Sequence, residues 1–366
     1  MKLAIVAGEA SGDLHASEVI HELKLLAPEL RMFGIGGDLL AAEGVELLHH
    51  AREMGIVGLV NVIRHLPMFR RVFDELIARI EAERPDAVLL VDYPDFNLRV
   101  AKKCRELGLK VIYYISPQLW AWRRGRVKQI AKNVDRMIVI FPFEETFYRG
   151  ANVSVAYVGH PLVEQLAGIE RRVPRDHETL RVALMPGSRR MEVASLLPPM
   201  LDAIAILRRE RALDAYIIQA PTISLAELAP YVAAKNLDVR IVPHDGGQAL
   251  ADADVALSSS GTATLESAIL GTPVVVMYKL SRATYFLARR LVKLPHFSLV
   301  NIVAGKRVVP ELLQDDVNGE RIAAEVRALV ASSDQVRREL AAIRTKLGEP
   351  GASRRVAAEI HRMLAG

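Results

Sequence analysis

Short apolar runs, most of them rich in valine and isoleucine, alternate along this chain with longer stretches whose apolar positions follow helical spacing. The runs are Leu3 to Ala7, Ala87 to Val91, Lys110 to Ile115 and Arg136 to Phe141, then Arg181 to Met185, Ala215 to Gln219, Val239 to Val242, Val255 to Ser258 and Pro273 to Tyr278. A strand that is apolar without alternation is buried on both faces, as in a parallel sheet covered by helices. The pattern therefore predicts an α/β chain. Gly159 to Leu162 and the polar stretch from Gly168 to Arg181 separate the strands into two groups. We expect a doubly wound domain over residues 1–163, a second over 164–345 and a basic C-terminal helix in 346–366. That helix packs back on the first domain or lies on the surface. Two such domains facing a cleft would hold a ligand at the carboxyl ends of their strands.

Composition narrows the picture. The chain has 366 residues, 51% hydrophobic and 25% charged, enough for a large core and for two domains. Its one cysteine, Cys104, excludes an internal disulfide and a thiolate zinc site, and suggests a reducing compartment. Met1 runs straight into an apolar strand, so no export leader is expected. No stretch reaches the ~18 apolar residues of a spanning helix. The net charge of +5 suits anionic lipid, nucleotide phosphate or nucleic acid equally.

Candidate chemistry sits just beyond the predicted strands. After Ala7 come Gly8, Glu9, Ser11, Gly12 and Asp13, then a helix expected from Leu14 to Leu26. This is either an anion-receiving turn or a plain turn capped by Asp13, and its carboxylates suit sugar hydroxyls better than phosphates. After Val91 come Asp92 and Asp95 around Pro94. A partly desolvated carboxylate at a strand end can serve as a general base towards an alcohol; the alternative is that both only organise the turn. Ser116 to Arg126 carries Gln118, Trp120, Trp122 and Arg123, with Lys128 and Lys132 beyond, and could grip a phosphorylated amphiphile or be a solvated basic helix face. Ile56, Val60, Ile63, Phe69 and Phe73 form an apolar stripe beside Arg64, Arg70 and Arg71. The stripe either enters a membrane surface or faces the core. Tyr285 to Phe297 has the same aromatic and basic character.

In the second half, Met185 leads to Gly187, Ser188 and Arg189, suited to a diphosphate. Val255 to Leu257 leads to Ser260, Gly261, Thr262 and Thr264, a helix start suited to phosphate or merely capped. Glu266, about one turn inside, could accept both hydroxyls of a ribose. Asp252 and Asp254 imitate a metal-binding pair but precede their strand, on the face away from a parallel-sheet ligand site. No metal is expected.

Together these motifs, with Phe141 to Glu144, Gly159, His160 and Asn301 to Gly305, resemble the lipid-A-disaccharide synthase family in order from near Met1 to about Gln314. The resemblance implies a GT-B fold of two Rossmann-like domains, the first binding the acceptor and lipid, the second the UDP-sugar. It implies an inverting transfer that joins UDP-2,3-diacylglucosamine to 2,3-diacylglucosamine 1-phosphate (lipid X) through a β-1,6 bond and releases UDP. Asp92 matches the family's essential aspartate and is expected to be the base. Arg189 would stabilise the leaving group, Glu266 would hold the ribose, and Asn301 matches a functional position. Glu9, Ser11, Asp13, Gln118, Trp120, Trp122 and Arg123 would lie on the acceptor side. Tyr93 stands where the family often has a small residue. No cofactor is expected, since the UDP-sugar is a substrate. The family also suggests a homodimer with exchanged C-terminal segments, peripheral on the cytoplasmic face of the inner membrane through anionic lipid, without nucleic acid. The rivals are a soluble UDP-sugar enzyme of the same architecture, either a 2-epimerase or a muramyl-type transferase, and a non-enzymatic lipid- or RNA-binding protein. Tight liposome binding would argue against the first, and salt-sensitive RNA affinity indifferent to UDP would favour the second.

Overall fold

The computed structural model describes residues 1–54, 65–121, 124–172, 178–281, 284–286 and 295–365. The stripe residues Ile56, Val60 and Ile63, and likewise Trp122 and Arg123, lie outside the described residues. The chain divides into two units, Met1–Pro161 with Glu349–Gly366, and Leu162–Gly348.

The first unit is built on seven parallel strands in the order β3-β2-β1-β4-β5-β6-β7. They are β1 (Lys2–Ala7), β2 (Arg31–Gly36), β3 (Glu46–His50), β4 (Ala87–Val91), β5 (Lys110–Tyr114), β6 (Arg136–Val139) and β7 (Val155–Tyr157). Its labelled helices are α1 (Ala10–Leu26), α2 (Asp38–Ala42), α3 (Leu66–Glu83), α4 (Pro94–Glu106), α5 (Val127–Asn133) and α6 (Pro142–Arg149). The all-apolar runs at β1 and β4 are the central strands, fully buried as double coverage requires. The apolar-run criterion passes over β2, β3 and β7. Glycines interrupt β2, β3 is only half-buried and ends in two histidines, and β7 has three residues.

The second unit has six parallel strands in the order β10-β9-β8-β11-β12-β13. These are β8 (Leu180–Met185), β9 (Leu213–Gln219), β10 (Arg240–Pro243), β11 (Val255–Ser259), β12 (Val274–Tyr278) and β13 (Glu311–Leu313). The helices that matter below are α7 (Arg190–Leu207), α8 (Thr262–Ile269) and α9 (Leu299–Ala304). The last helix, α10 (Ala352–Ala365), packs on α1 of its own chain, burying Val356, Ala357 and Ile360. Arg136 pairs with its Glu359 at 2.8 Å, and Lys110 Nζ donates to the Met363 carbonyl at 2.9 Å.

In both sheets the strand order reverses at one place, between β1 and β4 and between β8 and β11. Helices leave the two strands there towards opposite faces, which opens a crevice at the carboxyl ends. Ala7 is in register with Val91, and Met185 with Ser258, so Gly8 adjoins Asp92 and the residues after β8 adjoin those after β11.

Candidate active site

At the first reversal the backbone turns sharply. Asp92 and Tyr93 both have φ +47°, a left-handed conformation that costs a non-glycine residue roughly 1 kcal/mol or more. Buried donors hold it. Tyr113 Oη donates to the Asp92 carbonyl at 2.6 Å, and Asn97 Nδ2 donates to the same oxygen at 2.8 Å and to the Val91 carbonyl at 3.1 Å. Strain kept in place by such an over-determined surround is typical of functional positions. Burial, followed by the Glu9 charge, pushes the Asp92 carboxyl up to about 6, against the Tyr93 N–H and His15, which favour the ionised form. Asp92 is thus close to the range of a working base, with Glu9 exposed at the start of α1 beside it.

Tyr93 completes the corner. A Cβ on Gly8 would sit 2.6 Å from the Tyr93 ring, so glycine there makes room for tyrosine. Tyr93 Oη reaches the Met54 carbonyl at 3.0 Å. The ring also walls a cavity of about 270 Å³ with Glu9, Leu66, Phe69, Phe96 and Arg99.

Several acceptor-side expectations need correction. Helix α1 begins at Ala10, four residues earlier than expected, so Asp13 lies inside its first turn and does not cap it. Asp13 is buried and accepts from the Gly37, Leu39 and Leu40 N–H groups at 2.6, 3.1 and 3.2 Å, capping α2. Three of its roughly four lone-pair sites are spent on backbone and the side chain is buried, so its task is to hold α2. Ser11 is exposed on the first turn of α1. Gln118 is exposed, but Trp120 is buried, edge-on to Phe143, and donates Nε1–H to Glu144 at 3.2 Å. Trp120 is therefore part of the core. Burial raises that Glu144 carboxyl to about 8 and depresses His160 to about 3. Phe69 and Phe73 turn inward, Phe73 packing edge-on to Phe96 at 5.9 Å. The described end of the stripe, Phe69 and Phe73, packs against the core and the cavity wall.

At the second reversal a cavity of about 350 Å³ gathers Gly187, Ser188, Arg189, Ser260, Gly261, Thr262 and Glu266. Gly187 has φ +122°, and a Cβ there would fall 2.4 Å from Glu192 Oε2. Glu192 draws the loop onto α7, accepting from Ser188 N–H at 3.0 Å and from Arg189 at 3.1 Å. The Arg189 side chain is nonetheless 72% exposed and open to a ligand. The Thr264 N–H already donates to the Gly261 carbonyl at 3.1 Å, but the Thr262 and Ala263 N–H groups precede the helical ladder, which makes that end receptive to an anion. Burial raises the Glu266 carboxyl, with His244 opposing.

Two residues of this half move off the site. Thr264 is fully buried and its Oγ1 donates to the Gly261 carbonyl at 2.8 Å, so it shapes the helix start and does not line the cavity. Asn301 is also fully buried. Its Nδ2 donates to the Val309 carbonyl at 2.9 Å, and its Oδ1 accepts from Val308 and Val309 N–H at 2.7 and 3.0 Å. It ties α9 to the strand entry that follows, with its amide nitrogen and oxygen both bonded to backbone. Asp254 pairs with Arg171, and Asp252 accepts from Gln248 at 2.9 Å. Among the described residues no three His, Cys, Asp or Glu side chains gather as metal ligands.

Sequence reading passed over His15 and His244. His244 follows β10, so the strand-end rule that found Arg189 would have found it. His15 lies four residues after Ser11, one turn into α1, and only the turn at Asp92 brings it into play.

Two parallel α/β units, each with its cavity at a strand-order reversal, define the class, a GT-B fold of two Rossmann-like units. Solved structures of that fold match the chain along its length. They include the calicheamicin glycosyltransferase CalG4 (TM-score 0.62, 16% identity, 100% of this chain and 98% of that one). MurG of Acinetobacter baumannii matches with TM-score 0.60 and 16% identity over 99% of each chain. The UDP-GlcNAc 2-epimerase of Neisseria meningitidis bound to UDP-GlcNAc matches with TM-score 0.64 and 13% identity over 99% of this chain and 100% of that one. The particular family follows from sequence. The lipid-A-disaccharide synthetase model matches residues 3–360, and this chain belongs to that family. Curated lipid-A-disaccharide synthases from Anaeromyxobacter dehalogenans (strain 2CP-C) and Geobacter metallireducens are 46% and 43% identical, covering 98% and 99% of this chain and 96% and 97% of their own lengths.

Proposed function

We propose that this chain is an inverting glycosyltransferase that joins UDP-2,3-diacylglucosamine to 2,3-diacylglucosamine 1-phosphate, forming a β-1,6 disaccharide and releasing UDP. The observation that carries the reading is Asp92, fixed in a left-handed turn at the β1/β4 reversal with its carboxyl raised to about 6 beside an apolar cavity. In its ionised form Asp92 takes the proton of the acceptor 6-hydroxyl as that oxygen attacks the donor anomeric carbon. The bond from that carbon to the diphosphate oxygen breaks, and the electron pair leaves with UDP. Arg189 and the N-terminal turn of α8 stabilise the charge that develops on the diphosphate. Glu266 accepts the ribose hydroxyls.

In this reading the transfer needs no added metal. The acylated substrates bring the protein to a membrane surface, on the cytoplasmic side where UDP-sugars are made. No helix among the described residues is long and apolar enough to cross a membrane.

The test is single turnover of both substrates in detergent micelles with EDTA, comparing wild type with Asp92→Ala. Disaccharide and UDP from wild type alone are expected. An inert wild type sinks the transferase reading, and equal turnover by Asp92→Ala removes Asp92 as the base. Conversion of UDP-GlcNAc to its 2-epimer in place of transfer would move the protein to the epimerases that share its fold.

A further inference from the structure

The cavity under Tyr93 continues into a second space. A groove of about 700 Å³ runs between α4 and α5 and shares Pro94, Asp95 and Arg99 with it. Six cations line this groove, Arg99, Lys102, Arg105, Arg126, Lys128 and Lys132, against the two carboxylates of Asp95 and Glu106. Most of the positive charge nearest the carboxylates is already spoken for. Arg126 pairs with Asp95 at 2.7 Å, Arg105 with Asp135 at 2.7 Å, and Lys102 lies 3.9 Å from Glu106. Arg99 stands at the junction of cavity and groove without an ion pair among the described residues.

Three chemistries therefore adjoin one another: the carboxylates of Asp92 and Glu9, an apolar wall from Leu66, Phe69 and Phe96, and a guanidinium. A phosphorylated acyl-sugar has the same three parts, a hydroxyl, an acyl chain and a phosphate. Arg99 is five residues beyond Pro94, about 7.5 Å along α4. That offset is comparable to the separation between a 6-hydroxyl and the phosphorus of a 1-phosphate, which are carried by the two carbons that flank the pyranose ring oxygen. Guanidinium is also the side chain whose fork matches phosphate oxygens two at a time.

We propose that Arg99 holds the phosphate of the acceptor, while the adjoining cavity takes the first part of an acyl chain. The proposal rests on the transferase reading above and names how the acceptor is recognised.

The experiment compares Arg99→Ala and Arg99→Lys with wild type, using short-chain diacylglucosamine with and without its 1-phosphate. Steady-state kinetics are read beside calorimetric titration of the phosphorylated acceptor. Loss of a charge-assisted pair should raise KM and Kd for the phosphorylated acceptor roughly tenfold to a hundredfold. The dephosphorylated acceptor should bind wild type and Arg99→Ala alike, Arg99→Lys should recover part of the loss, and UDP affinity should not change. An equal loss for both acceptors, or none for either, overturns the assignment. So does unchanged acceptor affinity with weakened binding to phosphatidylglycerol vesicles, which would give the groove to bilayer phosphates. If wild type makes no disaccharide yet binds the phosphorylated sugar through Arg99, the transferase reading fails and the phosphate site stands.

Discussion

The two strand-order reversals occupy equivalent places in their sheets and are built from opposite materials. At β1/β4 the tight turn falls on Asp92 and Tyr93, residues that resist a positive φ and are clamped by Tyr113 and Asn97. At β8/β11 it falls on Gly187, and the side chains around it are a hydroxyl and an exposed arginine. Proton transfer needs a carboxylate partly stripped of water and aimed by its surround, which costs strain and burial. Diphosphate binding needs N–H groups and positive charge left open to the ligand. One site is preorganised by constraint, the other by openness.

The largest expected effect tests the constrained site. A base with a pKa of about 6 makes the rate of the chemical step rise with pH and level off above that value. Asp92→Asn should lower the plateau by about a thousandfold and abolish the rise, within the range general-base catalysis supplies. A variant that keeps the same pH profile at a reduced rate would mean that another group titrates in this window.

Next in size is Asn301→Ala, which asks whether family position or local bonding describes that residue. Removing its side chain strands the Val308 and Val309 N–H groups and the Val309 carbonyl in the interior. A loss of about 3 kcal/mol of stability is expected. Calorimetric UDP affinity of the folded variant should stay within about twofold, since the lost bonds touch no ligand group. Unchanged stability with lost turnover would restore a direct part in the reaction.

How much of this was legible in the sequence follows from the range of each interaction. The parallel sheets and the strand-end positions of Asp92, Gly187, Arg189 and Glu266 follow from local runs and their order, which survive without knowledge of neighbours. The errors are long-range. Asp13 looked free because the N–H groups that occupy it, those of Gly37 to Leu40, come more than twenty residues later. Trp120 looked like a surface aromatic beside arginines, but its partner Glu144 arrives with α6 and draws it into the core. The apolar stripe of Phe69 and Phe73 has the same spacing whether it faces lipid or Phe96. Only the packing of α3 on α4 decides between them.

The open site gives the third prediction. Gly187→Ala would place a Cβ at φ +122° and 2.6 Å from Glu192 Cβ, so the loop must shift away from α7. Because Glu192 also positions Ser188 and Arg189, UDP affinity should fall about thirtyfold, equivalent to roughly 2 kcal/mol. Global stability should fall less, since the loop is at the surface. Unchanged UDP affinity would show that Gly187 serves the fold and that the diphosphate lies elsewhere.

The smallest effect sharpens the contrast, because a base raised by burial is also a liability to the fold. The Asp92 carboxyl rises from an ordinary 3.8 to about 6 on folding, so the folded state binds the proton more tightly than the unfolded one. Protonated Asp92 thus contributes stability in full below pH ~4, and that contribution fades as pH rises through about 6. Asparagine keeps the shape and carries no charge, so Asp92→Asn should be more stable than wild type at pH 8 by about 1–2 kcal/mol, after allowance for solvent at a half-buried site. The gap should close towards pH 4. Denaturant titrations at pH 4, 6 and 8 read it directly. A gap independent of pH would trace the gain to the strained turn instead of the carboxylate, while a loss at every pH would show the ionised group to be stabilised by its surround. Stability gained where activity is lost would mark Asp92 as a residue held against the preference of its own fold, and Arg189 at the β8/β11 site, whose charge faces water, should show no such exchange.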